Sequence, residues 1–423
     1  MVSLAMEMAA SRLLGNYFGT SNLVWASIIG LILIYLTAGY FLGGSWADRS
    51  PKHITFFKIL AWAAMATGLI PIIARPILRL AANAFDNLQM GVLVGSFTSV
   101  MILFIIPVTL LGMASPFAIR LSIRDAASAG KVSGRIYAIS TLGSFVGTFL
   151  PVLFLIPTIG TYRTFLVIGT ILLIFALAGI YLVSSWKGLL PFIWMPVIFI
   201  LLFLFGTPGT DKDTTGMIYE GESAYNYIQV LQQDDTTLLR LNEGQGVHSI
   251  YNPNTYLYNG PWEQVLSAPF FNKAPISPME IETAAIIGLA GGTTSRELFA
   301  VFPNIHVDGI EIDAEIVDVG LQYFAMANPN LNIIVQDGRW ALEKSSQTYD
   351  IISIDAYRPP YIPWHMTTQE FFQSVYSHLT PSGVMVINIG RGPQDRRLVD
   401  ALATTIQTVF PTIYISDLAG SFN

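Results

Sequence analysis

Uncharged apolar runs follow one another through the first half of the chain. No Asp, Glu, Lys or Arg lies between Arg12 and Asp48, Asp86 and Arg120, Arg135 and Arg163, Arg163 and Lys187, or Lys187 and Asp211. A spanning helix needs about 20 apolar residues, because the hydrocarbon core is about 30 Å thick and each helical residue rises about 1.5 Å. Each run therefore predicts one span. A sixth covers Ile54 to Ala74, with Lys58 near enough to its end to snorkel. Met1 to Phe18 reads as the second half of another, without the basic leader of a signal peptide.

The pattern changes near Gly206 to Lys212. From Met217 to Tyr251, short β-rich runs such as YNYIQVLQQ and TTLLRLN flank the turn signal Gln233, Asp234, Asp235 and predict a small antiparallel sheet. From Thr283, short apolar strands alternate with helices. The strands are Ala284 to Gly288, Val307 to Asp313, Ile333 to Asp337, Asp350 to Asp355, Val384 to Ile389 and Ile413 to Asp417; helices begin near Thr294, Ala314, Arg339, Thr368 and Asp395. This alternation predicts a doubly wound parallel sheet. The expected architecture is an α-helical transmembrane bundle of about six to seven spans over 1–206, a linker and small antiparallel β subdomain over 207–280, and a Rossmann-like α/β domain over 281–423.

Composition agrees. The 423 residues are 52% hydrophobic and 12% charged, against about 25% charged in soluble domains, and mean hydropathy is +0.54. The chain is expected to be a multi-pass integral membrane protein with the bilayer as partner. A net charge of −6, with no basic cluster interleaved with aromatics, excludes a nucleic-acid groove. The absence of cysteine removes disulfides, thiolate metal sites and thiol nucleophiles together. No metal is expected.

Two short loops are basic and should be cytoplasmic: Ser45 to His53, and Arg120 to Arg135 with Arg124 and Lys131. The first carries GSWADRSPK, Gly44 to Lys52, which resembles a cytoplasmic loop motif of major facilitator transporters. Three spans after the second loop would carry the C-terminal domain outside, whereas the nucleoside donor implied below is made in the cytosol. Either one late segment, such as Gly188 to Gly206, does not cross, or the domain faces outward; a cytoplasmic domain is the expectation. Glu7 and Arg12 lie in an apolar stretch, where ionisable groups commonly mark function.

Candidate chemistry gathers at the strand ends, where open α/β sheets bind ligands. Strand one ends in GLAGGTTSREL, whose Gly288, Gly291 and Gly292 let the backbone approach a ligand before a helix starts. Strand two ends in EID, placing Glu311 about 20 residues on, where a carboxylate grips ribose hydroxyls. Strand three ends in Asp337-Gly338. Strand four ends in Asp355 and the aromatic loop AYRPPYIPW. Asp is also a common helix cap, the plain alternative for Asp337 and Asp355.

ESAYNYIQV, IIGLAGGTTSREL, GIEID, QDGRWAL, YDIISIDAYRPPYIP and TTQEFFQSVYSHLTPSGVMVIN, in that order from Glu222 to Asn388, resemble the spermidine synthase (polyamine aminopropyltransferase) family, including bacterial forms fused to an N-terminal multi-helix membrane domain. The resemblance implies a class I methyltransferase-type fold. It also implies a co-substrate, decarboxylated S-adenosylmethionine (or S-adenosylmethionine), held by the Gly288 turn with Gly291 and Gly292, by Glu311 on the ribose, and by Asp337 with Gly338 on the adenine amino group. Asp355 would be the acid at the reacting centre, Tyr357, Arg358 and Tyr361 would bind a small amine substrate, and the enzyme would form a homodimer. This chain has Gly291 and Arg358 where the family has two further aspartates, and a Tyr258 to Glu263 run, containing NGPWE, in place of its Tyr-His-Glu segment.

Aminopropyl transfer requires a neutral amine, whereas alkylammonium groups titrate near 10.4. Asp355 is the candidate base, and Tyr357, Tyr361 and Trp364 offer cation-π contacts. His365 lies beside them. Two other readings stand: methyl transfer from S-adenosylmethionine on the same fold, which Gly291 and Arg358 favour, and a membrane transporter or sensor whose domain binds a nucleoside or polyamine without turnover.

Overall fold

A computed structural model describes residues 1–423 except 86–90, 124, 126–128, 207–209, 245, 275, 357–362, 391–394 and 417–423. The chain divides into two units. One comprises Met1–Thr214 with Glu222–Tyr227, the other Thr215–Gly221 with Ile228–Asn423.

The first unit is helical: α1 Val2–Phe18, α2 Asn22–Arg49, α3 His53–Phe85, α4 Gly91–Gly112, α5 Ala114–Ser122, α6 Ala129–Leu150, α7 Ile156–Leu189 and α8 Trp194–Phe205. Four stretches are long and apolar enough to cross a membrane: Asn22–Arg49, His53–Ala82, Val92–Ser122 and Ala129–Phe192. The last holds two of the expected spans, α6 and α7, joined through a π-helical turn at Pro151–Leu155 and a break at Gly160, whose φ of 76° no helix accommodates. The run after Lys187, expected either as a span or as a late segment that does not cross, forms an α8 of 12 residues, about 18 Å of rise against about 30 Å of hydrocarbon.

Side chains on the outer faces of these helices are large and apolar, with Phe41 76% and Leu182 82% exposed. Helix α1 is instead enclosed, its Met6, Ala9, Ala10, Leu13 and Leu14 fully buried. Close approach elsewhere depends on glycine: a Cβ on Gly39 or Gly43 of α2 would overlap the backbone of Thr109 or Met113, a small-residue seam of the kind that lets apolar helices pack without a hydrophobic driving force. Two ion pairs are enclosed within the unit. Arg12 meets Glu222 at 3.1 Å and Arg75 meets Asp211 at 2.9 Å, none of the four side chains more than 14% exposed. Arg12 also donates to the carbonyl oxygens of Ser223 and Tyr225. Glu7 lies half-buried on α1.

The second unit has two sheets. Strands β1 Met217–Glu222, β2 Tyr227–Gln233, β3 Thr236–Leu241 and β4 Val247–Tyr251 lie in sequence order, and β2 and β3 are antiparallel around Asp234, at φ 50°. After the short α9, Trp262–Ser267, come β5 Thr283–Ile287, α10 Thr293–Val301, β6 His306–Glu311, α11 Ala314–Tyr323, β7 Leu331–Val335, α12 Gly338–Lys344, β8 Tyr349–Ile354, α13 Gln369–Ser377, β9 Leu379–Ile387 and α14 Arg397–Gln407. The second sheet is parallel, in order β7-β6-β5-β8-β9. The chain winds one way from β5 and then restarts on its other side at β8, so the switch point lies between them. Ala284, Ala285, Ile286 and Ile287 of β5 and Ile351, Ile352 and Ile354 of β8 are all buried, as central strands covered on both faces must be.

The sixth expected strand is corrected. Residues 413–416 are not in a strand, because an extended run becomes a strand only through a ladder with a partner. Ile413 packs instead against the hydrophobic core cluster containing Phe371, Phe372 and Ile406.

Gly39→Val should destabilise the detergent-purified protein by about 1–3 kcal/mol through overpacking. Gly30→Val, where nothing lies within 4 Å of the added carbon, should leave the thermal midpoint unchanged. Equal midpoints in the two variants would contradict the seam.

Candidate active site

Parallel strands end on one edge, so β5, β6, β7 and β8 present their C-terminal tips together. The turn after β5 crosses the tip of β6: the N–H groups of Gly288 and Leu289 both donate to the Ile310 carbonyl. Gly288, Ala290 and Gly292 hold φ of 94°, 49° and 80°, a left-handed geometry that glycine adopts freely and that strains Ala290. The Ala290 N–H donates to Glu311 Oε2 at 3.0 Å and the Asp313 N–H to Oε1 at 3.1 Å. Glu311 is thus buried and clamped beneath the turn. Burial raises its pKa, and the backbone N–H bonds oppose that shift.

Asp355 follows β8, and its N–H continues the ladder to Ile287 at 2.8 Å. A Cβ on Gly288 would overlap the Asp355 carbonyl, and one on Gly338 would overlap the Ile287 side chain. Gly288, Glu311, Gly338 and Asp355 therefore meet around one turn. The Asp355 carboxylate accepts from Asn388 Nδ2 at 3.1 Å. The surrounding protein draws Asp355 away from bulk water and pushes its pKa up to about 6, partly offset by the Asn388 bond. A carboxyl poised there can accept a proton at neutral pH.

Asp337 is a cap as well as a candidate. Its Oδ1 accepts the Trp340 N–H at 3.0 Å at the start of α12, while Oδ2 lies 3.1 Å from His365 Nε2. Gly291 and Gly292 are set against other elements. The Gly291 N–H donates to Ser249 Oγ at 2.8 Å, a Cβ there would meet Ser249 and Phe324, and one on Gly292 would meet Met326. Tyr357, Arg358 and Tyr361 lie outside the described residues. Trp364 is 79% exposed, its ring edge-on to His365.

A cavity of about 930 Å³ opens on Asp355, Asn388 and Thr294 and runs along β9 to residues 411–416. Glu311 and Asp337 do not line it.

Several contributors escaped the sequence reading. Asn388 sits just past the fifth strand, and a polar residue at the next strand tip was the available signal. Glu263, in the NGPWE segment, accepts the backbone N–H groups of Tyr258, Asn259 and Gly260 and so shapes that loop. Thr293 at the start of α10 exchanges hydrogen bonds with the Ile250 backbone of β4. Glu297 of α10 is 1% exposed, and neither carboxylate oxygen has a hydrogen-bond partner among the described residues. Burial, then the neighbouring Glu263, pushes its pKa up to about 8.

Glu311 and Asp355 thus lie at neighbouring strand tips of a parallel sheet, beside one glycine turn. Residues 271–417 match the spermine/spermidine synthase domain. The chain is 36% identical over 197 residues to a probable polyamine aminopropyl transferase of Bifidobacterium longum, covering 46% of this chain and 43% of that protein. A polyamine aminopropyltransferase of Vibrio vulnificus is 28% identical over 231 residues, covering 52% of this chain and 73% of the relative. The chain thus spans less than half the length of the first relative. Among solved structures, a probable spermidine synthase from Corynebacterium glutamicum aligns at TM-score 0.40 and 21% identity, over 47% of this chain and 72% of that one.

Within α10, Glu297 holds its proton more tightly folded than unfolded, since 4.5 is raised to about 8. Stability should therefore fall as pH rises through that interval. Glu297→Gln should remove the decline, its thermal midpoint exceeding wild type at about pH 8 and matching it near pH 4. Parallel pH curves for the two proteins would show that Glu297 ionises normally.

Proposed function

We propose that the chain is a membrane-anchored polyamine aminopropyltransferase, transferring the aminopropyl arm of decarboxylated S-adenosylmethionine to an amine and releasing methylthioadenosine. The single observation that carries this is the meeting of Gly288, Glu311 and Asp355 at one turn, in a region matching the spermine/spermidine synthase domain. The helical part over 1–206 anchors the enzyme in the bilayer, 207–280 contributes linker and small sheet, and 281–423 is catalytic and faces the cytosol, where the donor is made. Four long apolar helices support the anchor.

In this reading the Gly288 turn, with Gly291 and Gly292, cradles the nucleoside, Glu311 accepts from the ribose hydroxyls, and Asp337 with Gly338 takes the adenine amino group. The ammonium acceptor enters beside Asp355 and the loop bearing Tyr357, Arg358 and Tyr361. Asp355 attracts the cation and removes one proton. The freed nitrogen lone pair attacks the carbon next to the sulfonium: the C–N bond forms, the C–S bond breaks with its electron pair returning to sulfur, and the proton rests on Asp355. Asn388 keeps one carboxylate oxygen fixed for that transfer.

One observation favours methyl transfer instead: Gly291 packs against Ser249 and Phe324, so the turn presents no carboxylate to an aminopropyl ammonium.

Asp355→Asn should lower kcat by at least about 100-fold, the usual weight of a positioned base, while methylthioadenosine still binds. In wild type, kcat/KM should rise with pH through about 6 as Asp355 ionises, and that limb should vanish in the variant. Unchanged turnover would remove Asp355 from its role.

A further inference from the structure

The described part of the loop that follows Asp355 is pinned to the α12 end of the sheet. Just beyond residues 357–362, Trp364–Met366 forms a 3-10 turn. Arg339 Nη1 of α12 donates to the His365 carbonyl at 2.8 Å, and His365 Nε2 lies 3.1 Å from Asp337 Oδ2. Both groups of that pair are about one-third exposed, with side-chain exposures of 32% and 37%. The pair is therefore open to solvent rather than sealed in the core. Asp337 Oδ1 is already held by the Trp340 N–H.

A carboxylate has about four lone-pair positions. With one taken on each oxygen, Asp337 is fixed in orientation and still keeps acceptor capacity. A carboxylate held only at Oδ1 would swing about its Cβ–Cγ bond and would lose that freedom on binding.

We propose that His365 is a positioning residue for nucleobase recognition: its imidazole locks Asp337 so that the free lone pairs face an exocyclic amino group. The inference rests on the reading of Asp337 as the base-binding carboxylate. It adds that donor selectivity is set from the turn at Trp364–Met366, whose His365 holds the group reading the base. A 6-amino purine donates to the locked carboxylate. A 6-oxo purine sets a carbonyl against it, and a fixed carboxylate turns aside less readily than a mobile one, so the lock sharpens discrimination.

The test measures binding of methylthioadenosine and its 6-oxo counterpart, methylthioinosine, by calorimetry on the full detergent-purified chain, beside steady-state kinetics. His365→Ala should weaken methylthioadenosine binding about fivefold to tenfold, the usual effect of losing one ordinary hydrogen bond, raise the donor KM by a similar factor and leave kcat within about twofold. Its adenine-over-hypoxanthine preference should shrink. His365→Gln, whose amide can still donate to Asp337, should restore both. Unchanged binding in His365→Ala, with weakened binding in Asp337→Asn, would overturn the positioning role and leave the base-site reading standing. Unchanged binding in both variants would overturn that reading as well. A loss in His365→Ala that Gln fails to rescue, or that falls equally on both purines, would mark His365 as a structural support of the turn and overturn the proposal.

Discussion

The site depends on one steric constraint: Gly288 must have no side chain, because the backbone of Asp355 occupies that space. The parallel ladder sets β5 beside β8 and carries the Asp355 N–H to Ile287. Their tips can stay paired past the last strand residue only if the turn after β5 bends away at once in a left-handed conformation. That bend lays the turn over β6, where Ala290 reaches Glu311. One glycine therefore brings together two acids that lie on different strands, far apart in sequence.

Burial gives these acids different tasks. Glu311 keeps both oxygens on backbone N–H groups, a fixed acceptor suited to hydroxyls. Asp355 has a single described side-chain donor and a pKa pushed up to about 6, suited to taking a proton. Asp337, more open to water, is organised by a helix start and by His365. In the proposed function these three environments assign ribose, base and reacting amine to separate carboxylates, the differentiation by environment on which acid-base sites depend.

Much of this was legible in the residues. The βαβ alternation located five of the six expected strands to within a few positions, because central parallel strands are short continuous apolar runs, and the acids at their ends stood out against them. The sixth was misread, since Ile413, Tyr414 and Ile415 are apolar enough for a strand but find no ladder. The long apolar α6 and α7 were visible as charge-free runs, whereas the 12 residues of α8 were not, because an uncharged stretch does not reveal where a helix stops. What could not be read were pairings across distance. Arg12 with Glu222 and Asp355 with Asn388 depend on tertiary placement, as does the enclosure of Glu297, whose position on a short amphipathic helix looks ordinary.

In the proposed function this convergence holds an adenosyl sulfonium for transfer of its aminopropyl arm. Mass spectrometry can identify the nucleoside released when the detergent-purified chain is incubated with a panel of amines and each sulfonium donor in turn. The expected product is methylthioadenosine, formed from the decarboxylated donor in step with an aminopropylated amine. Release of S-adenosylhomocysteine from the carboxylated donor, with the decarboxylated one inert, would contradict it.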